Sequence, residues 1–92
     1  MNRNDYSYMD EYLASKIRDA RIKRGYSMVD FAHKFNISKQ RYFNYETGAR
    51  SLSLPLFIQM CEALGLDAEQ TYKEAQDYMR EKVFNADLQE EQ

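Results

Sequence analysis

The chain has 92 residues, enough for one small domain whose single core is only marginally stable by itself. It is 43% apolar and 30% charged, with three glycines and one proline; so few turn-forming residues exclude a fold of many short strands and favour an all-helical one. The net charge of −2 hides a partition, because residues 16–50 carry nine Lys/Arg against three Asp/Glu while residues 51–92 carry three against nine. A basic block in an acidic chain is the footprint of a surface that meets phosphates, although a solvated charged face would look the same.

In chain order, residues 1–15 read as a partly helical extension containing Tyr6, Tyr8 and Tyr12. These tyrosines either extend the first helix or pack on the last. Leu13, Ile17, Ala20 and Arg24 recur at helical spacing and predict a helix over 10–24, closed by Gly25. Ser27 is an N-cap with Asp30 three residues on, opening a short helix that ends at Phe35 and buries Phe31, Ala32 and Phe35. Asn36 suits a left-handed turn. Ser38 caps a third helix that runs to about Thr47 and stops at Gly48. Ser53 caps a fourth, with Pro55 in its first turn and Gly65 at its end. Asp67 and Gln70 start a fifth helix that reaches roughly Phe84, after which a polar, acidic tail is expected to fray.

Within residues 54–64 only Pro55, Gln59 and Glu62 are not apolar, and these three share one narrow arc. Such a helix is wedged between two surfaces, one of which belongs to the last helix or to another subunit. The last helix has its own apolar row in Tyr72, Ala75, Met79 and Val83, widened by Tyr78. Leu56, Met60, Tyr72, Tyr78 and Met79 are therefore the expected contacts of a dimer, since so short a chain has limited core to cover both rows.

Two short helices joined by the three-residue turn Phe35-Asn36-Ile37 make a helix-turn-helix. Counted from Met28, apolar residues fall at positions 4, 5, 8, 10, 15 and 18: Phe31, Ala32, Phe35, Ile37, Tyr42 and Tyr45. Position 5 must be small because the helices cross there, and it is Ala32. With Ile17-Arg18-Asp19-Ala20-Arg21, Gly25-Tyr26-Ser27, Ile37-Ser38, Tyr45-Glu46-Thr47-Gly48-Ala49-Arg50 and Ala63-Leu64-Gly65-Leu66, the sequence resembles the Cro and phage-repressor type of helix-turn-helix domain over residues 17–66.

The resemblance implies an all-α, five-helix fold whose helix-turn-helix DNA-binding domain covers 16–66, followed here by an extended C-terminal helix and acidic tail over 67–92. It implies a third helix lying in the DNA major groove of a symmetric dimer. Lys39, Gln40 and Asn44 match base-facing positions, where Gln and Asn can pair bidentately with adenine and Lys reaches guanine. Ser27, Asn36, Thr47 and Arg50 match positions that approach phosphates, and Arg41 joins them as a weaker candidate. Arg21 and Glu46 match a partly buried structural ion pair. Three positions depart from the family pattern. Met28 replaces a usual glutamine, Leu52 replaces a common proline, and Phe43 stands where a small polar residue is usual. Phe43 either packs on thymine methyl groups or meets a protein.

The leading function is a sequence-specific transcriptional regulator, a repressor, bound as a homodimer to a palindromic operator in duplex DNA. The alternative is a protein-interaction module on the same fold, an antitoxin or adaptor with a regulatory protein partner. No cofactor is expected. One cysteine excludes an internal disulfide, and one cysteine with one histidine cannot build a zinc site. No nucleophile–base set or Gly-rich phosphate loop suggests an enzyme. No apolar run is long enough to span a membrane, and the first residues lack a signal-peptide core, so a cytoplasmic location is expected.

Overall fold

The computed structural model describes residues 6–90, with side chains over residues 8–85. It consists of α1 (Tyr6–Lys23), α2 (Met28–Lys34), α3 (Lys39–Glu46), α4 (Leu54–Leu64) and α5 (Ala68–Glu90), with no strand among the described residues. The local start signals act as their chemistry requires. Ser27 Oγ accepts from Asp30 N at 3.0 Å, Ser38 Oγ from Arg41 N at 3.1 Å and Ser53 Oγ from Leu56 N at 3.3 Å. Asp67 Oδ1 does the same for Gln70 N at 3.0 Å. Each satisfies one otherwise orphaned amide of a helix start, worth about 1 kcal/mol. Asn36 takes the left-handed turn between α2 and α3 at φ 56°, and Ile37 N closes that turn on Ala32 O at 3.2 Å.

The core is built around Phe31, which is fully buried. Its ring centroid lies 5.0 Å from Phe35, 5.4 Å from Tyr42 and 5.5 Å from Tyr26 in tilted or edge-on geometries that suit the aromatic quadrupole. Ala32, also fully buried, lets α2 and α3 cross closely. Leu13 and Ile17 of α1, Phe57, Met60, Cys61 and Leu64 of α4, and Ala75 of α5 complete the interior. Met28 and Leu52, two departures from the family pattern, pack half-buried against this core.

Two helix boundaries differ from expectation. Helix α1 begins at Tyr6, before the expected residue 10, and runs through the 15/16 division without a break. Its first turns are held by tertiary contacts. Met9 is buried, and the rings of Tyr8 and Tyr12 lie 6.5 and 5.3 Å from that of Tyr78. Tyr12 Oη donates to Glu74 at 3.3 Å and Tyr78 Oη to Glu11 at 3.0 Å. The tyrosines at 8 and 12 thus do both things the sequence allows, extending α1 and packing on α5; the side chain of Tyr6 lies outside the described residues. Helix α5 continues past Phe84 to Glu90. Residues 85–90 contain no proline or glycine, and polarity alone does not stop a helix whose residues favour it.

Candidate nucleic-acid interface

Helix α3 packs on α1 and α2, and its two faces differ in kind. Tyr42 is fully buried and Tyr45 only 4% exposed, so both anchor the helix to the core as their apolar phase predicted. Lys39, Gln40 and Phe43 are exposed on the other side and Asn44 is half-exposed. Gln40 Nε2 donates to Asn44 Oδ1 at 3.1 Å. This contact does not exhaust either amide, since each keeps an N–H and an oxygen lone pair for a base edge. Phe43 borders an open groove of about 530 Å³ between α1 and α3, lined also by Ala14, Arg18 and Thr47.

The recognition helix is tied down at its far end by an ion pair deeper than expected. Arg21 Nε and Nη2 donate to the two carboxylate oxygens of Glu46, both at 3.0 Å. The two side chains are only 8% and 7% exposed. A third donor, Arg21 Nη1, reaches Tyr26 O at 2.6 Å. One guanidinium therefore joins α1, the α1–α2 turn and the end of α3. The Glu46 hydrogen bonds raise the Arg21 pKa above its ordinary value despite burial. The Tyr42 hydroxyl is buried beside this pair, has no hydrogen-bond partner among the described residues, and has its pKa raised chiefly by burial.

The residues expected at phosphates sit at element ends. Ser27 and Asn36 flank α2, and Thr47 caps the end of α3; all three are exposed. Thr47 Oγ1 donates back to Phe43 O at 3.0 Å. Arg41 and Arg50 are exposed, and both gather on Tyr45. Arg41 Nε donates to Tyr45 Oη at 2.7 Å, and the guanidinium carbons of Arg41 and Arg50 lie 5.6 and 6.0 Å from the Tyr45 ring centroid. The core-facing phase of Tyr45 accounts for its ring but not for this arrangement at its hydroxyl. The i,i+4 spacing of Arg41 and Tyr45 was the available signal. The loop that carries Arg50 is fastened to α1 by Ser51 Oγ donating to Asp10 at 2.6 Å.

The expected dimer contacts divide. Met60 is fully buried in the chain's own core, so it has no surface to offer a second copy. Tyr78 lies against Tyr8 and Tyr12 of its own α1. Leu56 and Met79 are half-buried against the core. The reason is the inward stripe of α4, which runs through Phe57, Met60, Cys61 and Leu64 and leaves Leu54 and Ile58 outside, 55% and 39% exposed. With Tyr72, 39% exposed, these two line an apolar groove of about 370 Å³ bounded also by Phe57, Ala68 and Glu69.

His33 is exposed. Cys61 is buried, and burial pushes its thiol up to about 11, which leaves no thiolate nucleophile at neutral pH. Among the described residues no His, Cys, Asp and Glu side chains gather to hold a metal, and no helix is long and apolar enough to cross a membrane.

A family model described as helix-turn-helix matches residues 17–70. A curated relative from Thermococcus kodakarensis, described as a candidate HTH-type transcriptional regulatory protein, is 35% identical over 72 residues. That alignment takes in 78% of this chain and 21% of the relative, so the chain spans about a fifth of that protein's length. Among solved structures, the clp gene regulator ClgR from Corynebacterium glutamicum superposes with a TM-score of 0.68 at 24% identity. The match covers 89% of this chain and 87% of that one, and it shows the shared all-helical fold.

Proposed function

The chain belongs to the Cro/repressor-type helix-turn-helix family, and from that premise we propose that it is a cytoplasmic transcriptional repressor that binds a palindromic operator as a homodimer. The observation that carries this reading is the two-sidedness of α3. Tyr42 and Tyr45 fasten one face to the core, while Lys39, Gln40, Phe43 and Asn44 stand outward on the other. A helix held rigidly with polar, amide-bearing side chains outward is what the major groove admits and what its base edges pair with. To the phosphate backbone we assign Ser27, Asn36 and Thr47 at helix ends, Arg41 in the first turn of α3 and Arg50 in the loop that follows it.

Binding measured against salt tests the proposal. The basic segment should give a steep dependence, with a log–log slope of roughly −0.9 for each phosphate neutralised. Arg50→Ala should weaken binding to operator and random duplex alike, because a backbone contact carries no base information. A flat salt dependence would favour the second reading, a protein-interaction module. That reading draws support from Phe43, which is 43% exposed at the mouth of the α1–α3 groove.

The dimer is expected to form through the groove of Leu54, Ile58 and Tyr72, the apolar surface that the chain's own core leaves uncovered. Sedimentation equilibrium at micromolar concentration should show a dimer, and Ile58→Glu, which sets a charge in that apolar contact, should give a monomer. A parent protein that is already monomeric under those conditions would refute the assembly.

A further inference from the structure

We propose that Arg41, Tyr45 and Arg50 form one composite site for backbone phosphodiesters of duplex DNA, in which Tyr45 is the positioning residue that holds both cations before DNA arrives. This rests on the DNA-binding reading above and assigns to Tyr45 a part that neither the family match nor the helix pattern gives it.

Three observations converge. Tyr45 is only 4% exposed, so its ring is fixed by the core and cannot follow a mobile side chain. Its hydroxyl accepts from Arg41 Nε at 2.7 Å, and both guanidinium groups lie within 6.0 Å of its ring centroid. Cations over a tyrosine face are attracted to it, more strongly where water is partly excluded. Finally, these two arginines keep their charge unspent. Arg18 pairs with Asp19, Arg21 with Glu46 and Arg80 with Asp77, whereas no carboxylate pairs with Arg41 or Arg50 among the described residues. Two like charges held over one ring, with no anion of their own, await an external one.

The arrangement also explains why Nε is the atom that Tyr45 takes. A guanidinium has five N–H donors. Using Nε–H for the hydroxyl leaves the four terminal N–H groups of Arg41 free for a phosphate. A free arginine must surrender rotamer freedom on meeting DNA. Here part of that ordering has already occurred, because a ring buried in the core sets where the group points. Arg50 gains the same benefit from the ring alone, at the start of the loop that Ser51 ties to α1. The site runs the length of α3, from Arg41 in the turn that Ser38 caps to Tyr45 in the last turn and Arg50 in the loop beyond, so it fixes how the recognition helix is seated without reading any base.

The test is a double-mutant cycle on binding to random-sequence duplex DNA, read across a salt titration. Tyr45→Phe keeps the packing and the ring face but removes the hydroxyl. It should weaken binding by up to about fivefold, because DNA must then meet the ordering cost of the Arg41 side chain, in a protein that still unfolds cooperatively at a somewhat lower melting temperature. Arg41→Ala should weaken binding more and reduce the salt slope by roughly 0.9 for a lost phosphate contact. In the Tyr45→Phe background Arg41→Ala should cost visibly less than in the parent, because the arginine is no longer held. Arg41→Lys keeps the charge but loses the Nε–H that the Tyr45 hydroxyl accepts and the fixed fork of terminal donors; it should bind several-fold more weakly than the parent, and it reports on the site even if Tyr45→Phe fails to fold. Equal costs of Arg41→Ala in the two backgrounds, or parent-like binding by folded Arg41→Lys, would overturn the positioning role while leaving DNA binding intact. A parent protein that does not bind duplex DNA at all would overturn both readings together.

Discussion

Arg21→Ala should lower the unfolding free energy by about 3–5 kcal/mol, the cost of removing one partner from a buried ion pair, against a total of roughly 5–15 kcal/mol for a small domain. The upper part of that range is expected, because the pair is nearly inaccessible and the substitution orphans more than a charge. Glu46 loses both of its 3.0 Å hydrogen bonds, and the carbonyl of Tyr26 loses its 2.6 Å donor. The Tyr42 hydroxyl beside the carboxylate is a donor that can relieve it only in part, in a site built for a cation. Replacing both partners by apolar residues of similar size, Arg21→Met with Glu46→Leu, should be less damaging than the single substitution, since no uncompensated charge remains. Urea unfolding of the three proteins provides the comparison. A single variant as stable as the parent would show that the pair does not form in solution.

The second large effect is expected in base discrimination. Gln40→Ala should lower the ratio of operator to random-DNA affinity by the equivalent of about 1–3 kcal/mol, the value of one good bidentate pair. Asn44→Ala should do the same. The 3.1 Å hydrogen bond between the two side chains adds a further expectation. Each amide holds the other in orientation, so the double substitution should cost less than the sum of the singles. All ratios must be taken at one salt concentration, because the phosphate contribution changes steeply with salt. If the ratio stays at the parent value in both single variants, α3 does not read bases through these residues, and Phe43 or a protein partner becomes the better account.

What could be read from the amino-acid order divides along physical lines. The caps at Ser27, Ser38, Ser53 and Asp67 were legible because each depends on a side chain and an amide three residues apart. The burial of Tyr42 and Tyr45 was legible because it follows from helical phase. The Arg21–Glu46 pair was not visible in any period, being 25 residues apart; the family resemblance supplied it. Contacts between distant helices were the least accessible. Nothing local announces that Tyr8 and Tyr12 meet Tyr78, so the sequence alone does not show that α1 starts as early as Tyr6. The breadth of apolar surface on α4 was legible, but not which part faces inward. Met60 and Ile58 are equally apolar and two residues apart, and only the positions of α1 and α5 decide that Met60 goes in and Ile58 stays out. The grouping of Arg41 and Arg50 on Tyr45 is hidden for a related reason: Arg50 lies in a loop, and no helical period fixes where a loop side chain returns.

The uneven distribution of charge along the chain also governs how the molecule approaches a polyanion. Helix α3 packs on α1 and α2 while α5 packs on α1 and α4, so the recognition helix and the acidic helix are neighbours of α1 rather than of each other. At physiological ionic strength, exposed charges further apart than the Debye length of about 8 Å are largely screened from one another. An approaching duplex therefore never senses the net charge of −2; it senses whichever pole is nearest. Encounters that lead with α5 are repelled and those that lead with α3 are drawn in. A protein that is acidic on average can in this way be captured in the right orientation, and raising the salt should erase that bias together with the affinity.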